Sequence, residues 1–309
     1  MKFFLENTYT KLKNTDWRMF FVWLKEALMA KVFLVCAFVS IAALLLIFVF
    51  LFANGLPAIG EIGVLEFLLG RNWRPEDIPS SFGIFPMIVS SLYITAGAIV
   101  VGVPVGIFTA IFLAHMCPRW MYVFLKPAVN LLAGIPSVVY GFFGLVVIVP
   151  FIRQISLQLT GGGAGTSILS AMLLLGIMIL PTVINITESS IRAVPESYYQ
   201  GALALGASHV RSVFFVVVPA AKSGIFASII LGIGRAVGET MAVVLVAGNQ
   251  ARIPTSLFQG ARTLTANIVL EMSYASDLHR YSLIATGIVL LIFILIINVI
   301  FTILTRKKH

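Results

Sequence analysis

Apolar residues fall in runs of about twenty or more along most of this chain, with short polar segments between them. At about 1.5 Å per helical residue, a run of that length crosses a hydrocarbon core of about 30 Å. The runs predict six transmembrane helices, at about 31–53, 85–115, 125–151, 168–189, 223–248 and 282–304. Asn54 and Gly55 mark the expected end of the first, and a loop over 54–83 follows, punctuated by Pro75 and Pro79. A basic turn at Pro118 and Arg119 separates the second span from the third, and the glycines Gly161, Gly162, Gly163 and Gly165 turn the chain before the fourth. Residues 190–222 form a polar interruption, 249–281 a second long loop, and 306–309 a basic tail. Residues 1–30 mix Lys11, Lys13, Arg18 and Lys25 with Trp17, Phe20, Phe21 and Trp23, which predicts an amphipathic helix lying at a membrane surface. The fold class is therefore all-α and polytopic, with a first helix ahead of a five-helix core at 84–305.

Composition strengthens this picture. Hydrophobic residues make up 60% of the chain and charged residues 11%, leaving too little polar surface to cover a water-soluble globule. Cys36 and Cys117 are isolated, and the four histidines lie far apart, so neither a disulfide framework nor a metal site is predicted. Charge supplies orientation. With six spans both termini share a side, and the segments on that side hold fourteen of the 21 Lys and Arg residues, against six on the other and Arg235 within the membrane. The basic side is expected to be cytoplasmic, which puts both termini and the 190–222 loop there. The net charge of +9 follows mostly from this bias and implies anionic membrane lipid rather than a nucleic-acid partner.

Arg235 stands out because the sequence places it about 16 Å into an apolar helix, where an unpartnered charge costs from about 2.5 to more than 10 kcal/mol. Glu239, four residues on, is expected on the same face as its counter-charge, and Gly234 and Gly238 make a small-residue pair suited to close helix approach. Two polar stripes could line a path beside it. One holds Asn130 and Ser137 with Gly134, Gly141 and Gly144 around a kink at Pro136; the other holds Thr182, Asn185 and Ser189 below Pro181. Packing by small residues accounts for either stripe equally well. Glu188 and Arg192 read as a surface pair, and residues 260–272 as a short amphipathic helix. The glycine-rich turn at 161–165 lacks the Gly-Lys-Ser/Thr of a nucleotide loop, and no nucleophile with an acid-base partner is evident, so the chain does not read as an enzyme.

The polar interruption resembles the coupling loop of bacterial ABC importer permeases, whose pattern is Glu-Ala-Ala, three residues, Gly, nine residues, then Ile-x-Leu-Pro. Gln200, Gly201 and Ala202 take the first three places, Gly206 the glycine, and Val216, Val218 and Pro219 the end; the usual leading glutamate is here a glutamine. Further runs are similar to the C-type permease of phosphate-specific importers. They are the stretch 131–144, the segment from Ile177 to Thr182, the segment from Gly234 to Ala242, and Thr263-Leu264-Thr265-Ala266-Asn267.

The resemblance implies the type I ABC importer permease fold and a place in the bacterial inner membrane. It implies as partners an A-type phosphate permease, a dimeric ATPase that binds ATP and Mg²⁺ in place of this chain, and a periplasmic or extracellular phosphate-binding protein. Gln200, Gly201, Ala202, Gly206 and Pro219 would then couple the chain to the ATPase. Arg235 would offer donors to phosphate in transit, with Glu239 holding it when the path is empty; a permanent ion pair that staples helices is the structural alternative. A permease for molybdate or sulfate, or a secondary anion transporter, would share several of these features.

Overall fold

A computed structural model describes the backbone of residues 2–306 and the side chains of residues 19, 22–159, 161–300 and 303. The surface-lying expectation for 1–30 rests mostly on side chains outside this description, as does the basic tail. The chain divides into two compact units, residues 1–53 and 54–309.

The first unit is a single helix whose described side chains are almost all exposed, as suits an apolar rod surrounded by lipid. That helix, α1, runs Lys2–Ile62 and does not stop at Asn54 and Gly55. Gly55 lies so close to Ala285 and Ile288 that an added Cβ would meet the Ile288 side chain at 2.6 Å. Packing of that kind overrides the local turn signal. The expected loop at 54–83 is correspondingly shorter. It holds α2 (Val64–Leu69) and a small hairpin in which β1 (Trp73–Arg74) pairs antiparallel with β2 (Ser81–Phe82).

In the second unit, α3 (Phe85–Ile111) leads through a π turn at Phe112–Met116 to α4 (Arg119–Gly134). The third expected span is not one kinked helix. Pro136 has no N–H to give and forces Ile135 into an extended conformation, so the chain breaks and restarts as α5 (Ser137–Phe143), a π turn at Gly144–Ile148 and α6 (Val149–Thr160). The membrane-length stretch is Ser137–Leu159, and α4 stands apart from it.

α7 (Ile168–Arg192) is the hub. Apolar over most of its surface, it is largely buried and packs along α3 and against the helices that follow it. Gly102 allows the approach, since a Cβ there would meet the Gly176 carbonyl oxygen at 2.5 Å.

Next come α8 (Glu196–Ala204), α9 (His209–Ser212), a π turn at Val213–Val217 and α10 (Val218–Ala220). The expected fifth span is also divided, into α11 (Lys222–Gly238) and α12 (Met241–Val246). α13 (Leu264–Glu271) and α14 (Asp277–Arg306) complete the chain. Among the described residues five helices are long and apolar enough to cross a membrane. A sixth is added if His209–Ala220 and Lys222–Gly238, bent by 69°, are taken as one broken span.

Candidate functional site: a half-buried arginine at a helix break

Arg235 lies thirteen residues beyond Lys222, about 20 Å along α11 and in its last turn. The unpaired carbonyls of a helix C-terminus favour a cation there. Its Nη1 donates to the Thr182 hydroxyl on α7 at 3.3 Å. The expected pair with Glu239 does not form, because the helix carrying both residues ends between them. Glu239 has extended backbone angles, and its Oε1 accepts from the backbone N–H of Thr240 at 3.1 Å and of Ala242 at 3.2 Å. Its carboxylate thus caps the start of α12, where two helix termini meet at Glu239–Thr240. Among the described residues no carboxylate pairs with Arg235, which is half-buried with donors to spare.

The two polar stripes fare differently. Thr182 reaches Arg235, whereas Asn185 accepts from Lys126 Nζ on α4 at 2.7 Å. Asn130 and Gly134 are exposed on α4, while Ser137, Gly141 and Gly144 lie beyond the break, so no continuous stripe joins them. Gly141 is a packing residue, its Cα facing α12 so closely that a Cβ would meet the Leu245 side chain at 2.7 Å. Gly234 and Gly238, expected to bring a helix close, have nothing among the described residues within reach of a Cβ. The α11 face that carries them is open.

Glu188 is not part of a surface pair. Its side chain is 2% exposed and accepts from Lys126 Nζ at 2.7 Å, from the Tyr122 hydroxyl at 2.8 Å and from Arg192 Nε at 3.0 Å. Arg192 also donates to the Leu113 carbonyl at 2.9 Å and stacks over the Tyr122 ring. Burial first, and then the bond to Glu188, push the Tyr122 hydroxyl above its ordinary range, so it remains a donor at neutral pH. An acid in the last turns of an apolar helix signals that partners exist, but their identity depends on how α4 folds back.

On the opposite side of the core α13 forms as expected, yet its polar residues turn inward. Glu271 is 6% exposed and accepts from the Trp73 indole at 2.8 Å and from Arg262, with His279 Nε2 at 2.9 Å. Thr265 on the same helix donates to the Glu239 carbonyl at 3.1 Å, which ties the β1–β2 hairpin to the α11–α12 break through one short helix.

Gln200, Gly201 and Ala202 sit on α8, which buries no residue. Gln200 Nε2 donates to Glu196 Oε1 at 3.1 Å, a contact within the helix. At Gly206 no described atom lies within reach of a Cβ. Its φ of 86° is the requirement, since the left-handed residue closes α8 with Ala207 N–H bonded to the Ala202 carbonyl at 3.1 Å. Pro219 lies at the start of α10, directly after the π turn. Leu205, beside Gly206, is 91% exposed.

Residues 102–309 match the family described as binding-protein-dependent transport system inner membrane component. The chain belongs to that family, and it is an integral, multi-pass membrane protein. Its fold is the type I ABC importer permease fold. The permease of the MetNI methionine ABC transporter in an inward-facing form aligns over 73% of this chain and 96% of its own, at a TM-score of 0.56 and 18% identity. Among sequence relatives, the probable ABC transporter permease protein YqgH of Bacillus subtilis is 38% identical over 85% of this chain and 86% of its own. The phosphate transport system permease protein PstC of Mesorhizobium japonicum is 37% identical over 78% of each.

Proposed function

We propose that this chain is the C-type permease subunit of an ATP-driven importer of inorganic phosphate, resident in the bacterial inner membrane with both termini in the cytoplasm. Arg235 carries the reading: a half-buried guanidinium in an apolar bundle, anchored by Thr182 and without a carboxylate partner among the described residues, suits a travelling oxyanion. The likeness to PstC supports phosphate as that oxyanion. Thr182 orients the arginine, and Glu239 holds the break open by capping α12. The open α11 face with Gly234 and Gly238 suits a second, A-type permease chain across the path. α8, with Gln200, Gly201, Ala202 and the exposed Leu205, docks on a dimeric ATPase that binds ATP and Mg²⁺ and whose closure moves the permease. A phosphate-binding protein delivers the anion from outside.

The test is Arg235→Gln in the assembled complex, reconstituted with its binding protein and ATP. Phosphate uptake is expected to fall by about 100-fold or more while the subunits still co-purify. Uptake at the normal rate rejects the reading, and uptake of sulfate or molybdate in preference to phosphate reassigns the substrate.

A further inference from the structure

Lys126 and Arg235 come from different helices, α4 and α11, yet rest on successive turns of the same face of α7. The guanidinium is on Thr182 at 3.3 Å, and the ammonium is on Asn185 and Glu188, each at 2.7 Å. Thr182 and Asn185 are three residues apart, so their Cα atoms are separated by about 4.5 Å along the helix axis and face one way. The two cations are therefore anchored on adjoining turns of one face of α7. The cluster around Lys126 also carries more positive charge than its carboxylate needs. Glu188 already has Arg192 and the Tyr122 hydroxyl on one oxygen, leaving Lys126 as a second cation on the other. The lysine is only partly buried, with 26% of its side chain exposed, and its head is a compact charge on a flexible stem.

We propose that Lys126 is a second anion station, on the cytoplasmic side of Arg235. Phosphate leaving the guanidinium is taken by the ammonium, which swings away from Glu188, and Glu188 recovers the lysine once the anion has gone. This rests on the reading that an oxyanion passes Arg235. It adds a binding residue, on a helix apart from the spanning ones, that the sequence pattern did not mark.

The experiment measures uptake of labelled inorganic phosphate and ATP hydrolysis by the complete complex in proteoliposomes. Lys126→Met is expected to lower the maximal uptake rate about 10-fold, with the half-saturating concentration of loaded binding protein within about two-fold of normal, and Lys126→Arg to restore part of the rate. The deciding variant combines Lys126→Met with Glu188→Gln, which removes both charges and leaves no buried carboxylate short of a cation if the single variant fails to assemble. It is expected to stay as slow as Lys126→Met alone. Recovery to the normal rate shows that Lys126 only neutralises Glu188 and overturns the proposal, as does normal uptake by Lys126→Met. Arg235→Gln run in parallel separates the two claims. If it is inactive while Lys126→Met is normal, only the second station falls; if it is itself active, both do.

Discussion

Arg235 stands in the last turn of α11 with its side chain on Thr182 of α7, whereas Glu239 is held by the N-terminus of α12. Separating them in this way predicts that their substitutions behave differently. Glu239→Gln keeps an Oε1 acceptor for Thr240 and Ala242, so uptake is expected within about three-fold of normal. Glu239→Ala loses the cap, worth about 1 kcal/mol, and with it the set of the break. Equal loss of uptake in Glu239→Gln and Arg235→Gln would restore the ion pair that the geometry denies. A second contrast lies around α13 and the β1–β2 hairpin. Glu271, 6% exposed with three partners, is the carboxylate of a partly buried Arg262 that otherwise bonds only the Asn249 carbonyl and the Asn267 amide, and Glu271→Ala is expected to cost about 3 kcal/mol. The Arg74–Asp77 pair is 70% and 57% exposed, and breaking it with Arg74→Ala is worth about 0–1 kcal/mol. Thermal unfolding of the two variants in detergent should separate them by many degrees.

Among the elements, all three π turns end two residues before a proline: Met116 before Pro118, Ile148 before Pro150 and Val217 before Pro219. Pro150 and Pro219 sit inside a helix, where each lacks an N–H and its ring crowds the carbonyl four residues back, and the wider turn relieves that crowding; Pro118 lies past its helix end, after the extended Cys117. The residue just before each proline makes the long bond instead: Cys117 N–H to Phe112, Val149 to Gly144 and Val218 to Val213. α8 ends by a different device, the left-handed Gly206. Gly206→Ala is expected to cost about 1–2 kcal/mol at the end of α8, with Gly206→Asn milder; if α8 is the proposed ATPase contact, this is read as ATP hydrolysis that no longer rises when loaded binding protein is added.

These elements also show what a sequence carries. The runs that became α3, α7 and α14 were legible because hydropathy alone decides burial in lipid, and Arg235 because a charge in such a run needs a reason. α1 passed through Asn54 and Gly55 because α14 packs on Gly55, a contact that no local signal contains. Four-residue spacing suggested an Arg235–Glu239 pair, but spacing has meaning only within a continuous helix. Lys126 and Glu188, 62 residues apart, could be joined only by knowing that α4 lies against α7.

For the whole molecule, direction is the property on which the mechanism depends, since delivery and ATP must act on opposite faces. The excess of Lys and Arg in alternate loops predicts which face is cytoplasmic, and two exposed residues make that orientation measurable. Ile78, 100% exposed, stands in the hairpin between β1 and β2, and Leu205, 91% exposed, at the end of α8. With Cys36 and Cys117 first replaced by serine, Ile78→Cys is expected to react with a membrane-impermeant maleimide from the outside of spheroplasts. Leu205→Cys should react only in inside-out vesicles, and addition of the purified ATPase should protect it, because a fully exposed leucine beside a helix cap suits burial in a partner's cleft. Labelling of Leu205→Cys from outside would invert the molecule and leave α8 unable to meet a cytoplasmic ATPase, whatever the chemistry at Arg235.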